Sequence, residues 1–199
     1  MSPTTRSYRG AHSDGRGRRP AGRAGRGLLA VVFAAVLLAA CSTGAATSST
    51  TPEAPQPAGV DPSPIAKMVC APEATNLIDS ALGETAMVSL PTWTDDLYSC
   101  QYQYATGYFT LSVKELSSWP ETMDYFNSRA AVMGKARNLP NLGQGAFQTT
   151  DGSVVVRKDW KVLEVDIATL PSHFGAPPTS SGEVAITVAD VILGCWDGD

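Results

Sequence analysis

Two stretches near the middle of the chain alternate apolar and polar side chains. From residue 98 to 104 every second residue is Tyr or Cys, with Ser or Gln between them. From 109 to 113, Phe, Leu and Val alternate with Thr and Ser, and Ala105-Thr106-Gly107 separates the two stretches. Because side chains of a strand point alternately to its two faces, this pattern predicts a β-hairpin with one buried face.

A second hairpin is predicted over residues 153–157 and 160–169. In its second half Leu163, Val165 and Ile167 alternate with acidic residues, which indicates one buried and one solvated face.

Two further segments repeat apolar side chains every three or four positions, which is the period of a helix packed on one side. The first covers residues 72–82 and stops at Gly83. The second begins at Ser118, followed by Glu121 in the spacing of a capping box, and stops at Gly134. Both segments are therefore predicted as amphipathic helices.

Residues 184–193 are apolar on nearly all sides, so we predict a third helix that is well buried. Ser180 and Glu183 repeat the capping-box spacing before it, and the proline-rich residues 170–182 are predicted as a loop. A short strand is also expected at residues 87–90, before the first hairpin, so the element order is roughly α-β-β-β-α-β-β-α. It predicts an α+β fold, an antiparallel β-sheet packed by helices in an α/β sandwich.

The N-terminal 40 residues have a different pattern. An arginine-rich stretch precedes thirteen apolar residues, 28–40. As a helix these would rise roughly 20 Å, short of the ~30 Å hydrocarbon core. The segment 1–40 is therefore predicted to be a signal peptide.

Leu38-Ala39-Ala40-Cys41 resembles the lipobox of bacterial lipoproteins at all four positions. The resemblance implies a diacylglyceryl group on the Cys41 sulfur, cleavage before it, and a lipid anchor in the membrane. The chain would then lie at the outer, extracytoplasmic face of the cell membrane. An ordinary secretory signal with an accidental cysteine is the alternative.

Residues 41–65 are rich in Ser, Thr, Pro and Ala and predict a flexible tether, with a single folded domain over 66–199. Residues 1–40 hold seven of the chain's 15 basic side chains and one of its 19 acidic ones. The rest carries 8 basic and 18 acidic side chains, a net charge of about −10, which excludes nucleic acid as a main partner.

Three cysteines follow Cys41, an odd number in an oxidising compartment. Cys70 and Cys100 are the favoured disulfide, with Cys195 buried on the last helix. A Cys70–Cys195 pair is the alternative.

Candidate catalytic residues are few. His173 is the only histidine after Cys41, it lies in the proline-rich loop, and no G-x-S-x-G motif accompanies it. We predict no catalytic residues, no metal site, no cofactor and no enzyme activity.

Aromatic side chains concentrate around the first hairpin. The simpler interpretation is that these side chains pack between the sheet and the helices. The alternative is that they line a groove for an apolar or sugar ligand. The possible ligand-lining residues are Trp93, Tyr98, Tyr102, Tyr104 and Tyr108.

Residues 68–196 resemble a family of actinobacterial envelope lipoproteins whose domain has no assigned function. The resemblance rests on Cys70 before the first helix, on Cys100-Gln101-Tyr102 and on the final apolar helix. It also rests on residues 139–146, similar to the family's Pro-Gly-Leu-Gly-Asp-Ala-Ala, although Asn141 and Gln144 depart from that pattern. It implies an α/β sandwich with a disulfide between the first two cysteines and no known catalytic residues.

The leading hypothesis is a lipid-anchored, non-catalytic domain that binds an apolar or glycan-bearing envelope molecule. A protein-interaction module that serves a membrane sensor or transporter is the first alternative, and a hydrolase is the second.

Overall fold

The computed structural model of the protein describes residues 54–196. All of these residues belong to one compact unit. The predicted signal peptide, Cys41 and tether residues 41–53 lie outside the described residues. The helices and strands of the described part are α1 (Pro64–Met68), α2 (Pro72–Leu82), β1 (Met87–Val88), β2 (Thr92–Thr94), β3 (Leu97–Tyr104), β4 (Gly107–Glu115), α3 (Trp119–Met133), β5 (Lys135–Asn138), β6 (Gly145–Thr149), β7 (Val154–Lys158), β8 (Lys161–Asp166), β9 (His173–Phe174), β10 (Thr179–Ser180) and α4 (Ser181–Trp196).

Eight strands form one antiparallel sheet in the order β1-β3-β4-β8-β7-β6-β5, with β2 also paired to β3. Both predicted hairpins are present, as β3–β4 and β7–β8, and β4 pairs with β8 to join them. The predicted α+β fold with an antiparallel sheet is confirmed.

One face of this sheet is covered by α1, α2 and α4. The alternation that predicted the hairpins is visible in the burial of β3 and β4, where every second side chain lies in the core. Helix α4 is buried on most sides because it packs against both α2 and the central strands β7 and β8.

The other face of the sheet carries α3 over β6, β7 and β8. Phe126 of α3 packs edge-on against Phe147, with ring centroids 5.0 Å apart. Arg129 of α3 donates two hydrogen bonds, of 2.9 and 2.8 Å, to the Glu164 carboxylate on β8. A second, smaller core therefore lies beneath α3, around Leu116, Phe126, Phe147, Val155 and Val162.

The predicted helix ends are confirmed. The Ser118 hydroxyl accepts a hydrogen bond from the Glu121 N–H at 3.4 Å. The Glu121 carboxylate accepts one from the Ser117 N–H at 2.9 Å. Gly83 and Gly134 follow α2 and α3 with φ of 65° and 72°, the left-handed conformation that favours glycine.

Short elements were missed by the sequence pattern. All four residues of β5 are exposed, so no apolar alternation marks this strand. Strands β9 and β10 form a small sheet inside the segment 170–182, which was predicted as a loop. A strand of two to four residues is too short to show a period and forms only because a neighbouring backbone pairs with it.

The described end of the predicted tether contacts the domain. The Ala58 N–H donates to the Leu116 carbonyl at 3.2 Å, and the Trp93 indole N–H donates to the Val60 carbonyl at 2.9 Å. Helix α1 begins at Pro64, with Ser63 as its N-cap, so the predicted boundary between residues 65 and 66 falls inside a helix.

Cys70 and Cys100 form a disulfide, with Cα atoms 5.9 Å apart, which confirms the favoured pairing. Cys195 lies buried on α4.

Candidate functional site

The candidate aromatic residues do not surround one groove. Tyr98, Tyr102 and Tyr104 lie on the face of β3 covered by helices, where all three are buried. Tyr102 is part of the core, because its hydroxyl donates to the Val69 carbonyl at 2.7 Å and its ring stacks on Phe109 with centroids 4.9 Å apart. For Tyr98 and Tyr102 the structure agrees with the simpler interpretation, a packed sheet face.

Trp93 and Tyr108 occupy other places. Trp93, opposite Tyr98 in the β2–β3 pairing, is half-buried against the same core. Tyr108 is half-buried, and its neighbour Phe109 takes the core position, so the Tyr108 side chain lies on the opposite sheet face from Tyr104.

Tyr104 differs from the other four because it lines a cavity of about 360 Å³ at the end of the β3–β4 hairpin. Phe174 of β9 lies beside it, with the two rings edge to face and their centroids 4.7 Å apart. Both side chains are buried, so together they form an aromatic floor.

The rim of the cavity mixes polar and apolar residues and comes from three separate segments. The turn after β3 supplies Ala105 and Thr106, the stretch after α2 supplies Glu84, and the loop around β9 supplies His173 with two prolines and a glycine. The residues that line the cavity are Glu84, Tyr104, Ala105, Thr106, Pro171, His173, Phe174, Gly175 and Pro178.

Two close backbone contacts hold the loop around β9 against the end of α2. The Ala176 N–H donates to the Leu82 carbonyl at 2.7 Å. A Cβ atom on Gly83 would lie 2.4 Å from the Ala176 carbonyl oxygen, so glycine is required here for close approach as well as for its positive φ. The end of α2 therefore fixes one wall of the cavity.

Among the described residues the buried Tyr104 hydroxyl has no hydrogen-bond partner, and the whole residue is only 6% exposed. Burial raises the pKa of Tyr104, and the nearby carboxylates of Asp79 and Glu84 raise it further, so the phenol stays protonated at neutral pH. A buried hydroxyl without a partner costs about 1–3 kcal/mol, so a ligand that satisfies it would recover part of that cost.

A second cavity, of about 260 Å³, lies at the opposite end of the sheet. The tether end and the β7–β8 turn form it, with lining residues Ala54, Pro55, Gln56, Ser63, Pro64, Ile65, Asp159 and Lys161. The charged ammonium of Lys161 lies 3.7 Å from the Glu115 carboxylate, and both side chains are buried. This cavity is thus a gap beside the contact that attaches the tether.

The loop around β9 also holds His173, the histidine that a catalytic triad would use. Its Nδ1 lies 3.4 Å from the hydroxyl of the adjacent Ser172, and both residues are exposed. Among residues 54–196, no group of three His, Cys, Asp or Glu side chains could hold a metal ion.

Glu84 and Phe174 line the cavity although the sequence pattern did not indicate them. Each lies in an irregular stretch, and only the packing of the loop around β9 on the end of α2 brings them beside Tyr104.

In comparisons with family models, curated proteins and solved structures, nothing matches this chain.

Proposed function

We propose that the protein is a lipoprotein of the cell envelope, anchored in the membrane through Cys41, whose domain binds a small ligand without catalysis. The ligand is an apolar or glycan-bearing envelope molecule, and it binds in the cavity lined by Tyr104. The anchor is supported by the four lipobox residues 38–41 and by the apolar stretch before them. Within residues 54–196, no helix is long and apolar enough to cross a membrane.

The unpartnered Tyr104 hydroxyl is the observation that carries the binding proposal. Small-molecule sites are concave, mostly apolar, and contain a few polar groups that orient the ligand. An aromatic floor with one buried hydroxyl, and a rim of prolines and small residues with a few polar side chains, has this composition. The volume lies near the lower end of the usual range of about 300–1,000 Å³, which suits one sugar ring or a short side chain.

The position of the tether supports a ligand that comes from outside the membrane. The tether end contacts Leu116, just beyond the end of β4, whereas the cavity lies beyond the start of β4 at Gly107. Nine residues at about 3.3 Å each separate the two ends by roughly 26–30 Å. An anchor joined through residue 54 therefore leaves the cavity at the end of the domain remote from the attachment.

The alternatives have weaker support. A protein-interaction module needs a continuous exposed apolar patch. Met87 in β1 and Leu90 just after it are 73% and 92% exposed. A hydrolase needs an activated nucleophile. Within residues 54–196 the nearest arrangement of that kind at the cavity is the long contact between the exposed neighbours Ser172 and His173. We also propose that the protein belongs to the actinobacterial envelope lipoprotein family.

The lipid anchor and the ligand binding can both be tested on the full chain, expressed with its own N-terminal segment in an actinobacterial host. Intact mass spectrometry should find a diacylglyceryl group on an N-terminal Cys41, and Cys41→Ser should lack it and leave the membrane fraction. A wild-type protein without lipid would contradict the anchor.

Native mass spectrometry of the same protein tests binding. We expect additional mass that is lost on denaturation, lost in Ala105→Trp, which fills the cavity, and kept in Ala131→Trp, which is exposed on α3. Bound mass that both tryptophan variants retain, or a wild-type protein with no bound molecule, would contradict a ligand site at this cavity.

A further inference from the structure

Apart from the His173 imidazole, the ionisable side chains considered around the Tyr104 cavity are carboxylates. Glu84 lies on the rim, and in the part of the chain that the structure describes no lysine or arginine lines the cavity. Asp79, one helical turn before the end of α2, is close enough to act electrostatically on Tyr104 together with Glu84. Asp79 is itself held in place because its carboxylate accepts a hydrogen bond from the Ala86 N–H at 3.1 Å.

The aromatic floor adds to this negative field. The faces of aromatic rings are electron-rich and attract ammonium groups within about 6 Å of the ring centre. Tyr104 and Phe174 are held edge to face at 4.7 Å, so their orientations are fixed before a ligand arrives.

The Tyr104 hydroxyl provides the remaining polar atom. Because it has no partner within the described structure, its oxygen is available to accept a hydrogen bond from an N–H group. It is shielded from solvent, so a ligand reaches it only if the side chains around it move.

We propose that the cavity binds an ammonium group carried by a small ligand, such as an amino sugar or the side chain of a diamino acid. The inference rests on the proposed function and specifies its ligand. The ammonium pairs with the Glu84 carboxylate and lies against the aromatic floor, and the apolar part of the ligand contacts the prolines of the rim. An anionic ligand is repelled by Glu84 and Asp79, and a neutral one leaves Glu84 without a counter-charge.

The test compares glucosamine with N-acetylglucosamine, which has the same ring without the positive charge. Both sugars are titrated calorimetrically into the full-length, lipid-modified protein in detergent. We expect glucosamine to bind at least tenfold more tightly. Glu84→Gln, which removes an exposed carboxylate, should reduce its affinity about two- to fivefold and leave that of N-acetylglucosamine unchanged. Glu73→Gln, an exposed carboxylate at the other end of α2, is the matched control and should change neither affinity.

Two results overturn the inference and are distinguishable from each other. If N-acetylglucosamine binds as tightly as glucosamine, or if a neutral molecule co-purifies and is lost in Ala105→Trp, the proposed function stands and the ammonium preference is wrong. If neither sugar binds and no molecule co-purifies, the inference and the proposed function fail together.

Discussion

Glu115 accepts hydrogen bonds from both the backbone N–H and the hydroxyl of Ser63, 52 residues earlier in the chain. Ser63 is the N-cap of α1, and the Lys161 ammonium lies 3.7 Å from the same carboxylate. Glu115 is the last residue of β4 and is only 3% exposed. This one buried acid therefore joins the end of the tether to the first residue of β8. This contact fixes where the anchor segment meets the domain.

Removal of the Lys161 charge should destabilise the domain. Lys161→Met leaves Glu115 buried with its serine contacts but without a counter-charge, and breaking a buried ion pair in this way costs about 3–5 kcal/mol. Lys67→Met, at an exposed position of α1, is the control and should cost less than about 0.5 kcal/mol. The free energy of unfolding in urea measures both, and equal losses in the two variants would show that the Glu115–Lys161 pair does not stabilise the fold.

Tyr102 and Tyr104, two residues apart on one strand face, should respond oppositely to removal of their hydroxyls. Tyr102→Phe leaves the buried Val69 carbonyl without its 2.7 Å hydrogen bond and should cost about 1–2 kcal/mol of stability. Tyr104→Phe removes a hydroxyl that has no partner, so the ligand-free protein should be as stable or about 1 kcal/mol more stable. Thermal unfolding of the ligand-free protein compares them, and a large loss in Tyr104→Phe would reveal a hydrogen bond at that hydroxyl.

Loss of the disulfide should destabilise the fold substantially. Cys70 and Cys100 close a loop of 30 residues, and the entropy of such a loop in the unfolded chain corresponds to about 3–4 kcal/mol. The double variant Cys70→Ala/Cys100→Ala should show this loss in urea. Reduction of the wild-type protein should lower its stability by a similar amount, because both changes release the same loop.

Stability should fall at alkaline pH. Burial raises the pKa of Tyr102 to about 12, against about 10 in an unfolded chain, and burial also raises the pKa of Tyr98 and of Tyr104. The stabilisation from keeping Tyr102 neutral is complete below pH 10 and is lost between pH 10 and 12, which amounts to about 2–3 kcal/mol. Ultraviolet absorbance follows tyrosinate formation as the pH rises in the folded protein. The same titration in concentrated urea gives the reference for the unfolded chain. Ionisation of all tyrosines near pH 10 in the folded protein would contradict the burial of Tyr102.

The sequence alone determined the main elements because their signals are local. The alternation of Tyr102 and Phe109 with polar residues marks two strands, and Ser118 and Gly134 mark the ends of a helix by the conformations that these residues favour. The sequence favoured the Cys70–Cys100 pair but left a Cys70–Cys195 pair open, and the tertiary structure decided between them.

Only the tertiary structure decided which aromatic residues belong to the core and which one reaches a cavity. Tyr98, Tyr102 and Tyr104 have the same strand periodicity, yet Val69 supplies a partner for Tyr102, and the Tyr104 hydroxyl has none. That difference depends on what lies opposite each side chain, and the opposite partners come from segments distant in the chain. Glu84, Phe174 and the docked tether end at Ser63 have no periodic pattern, so their roles arise from long-range packing that local propensity does not contain.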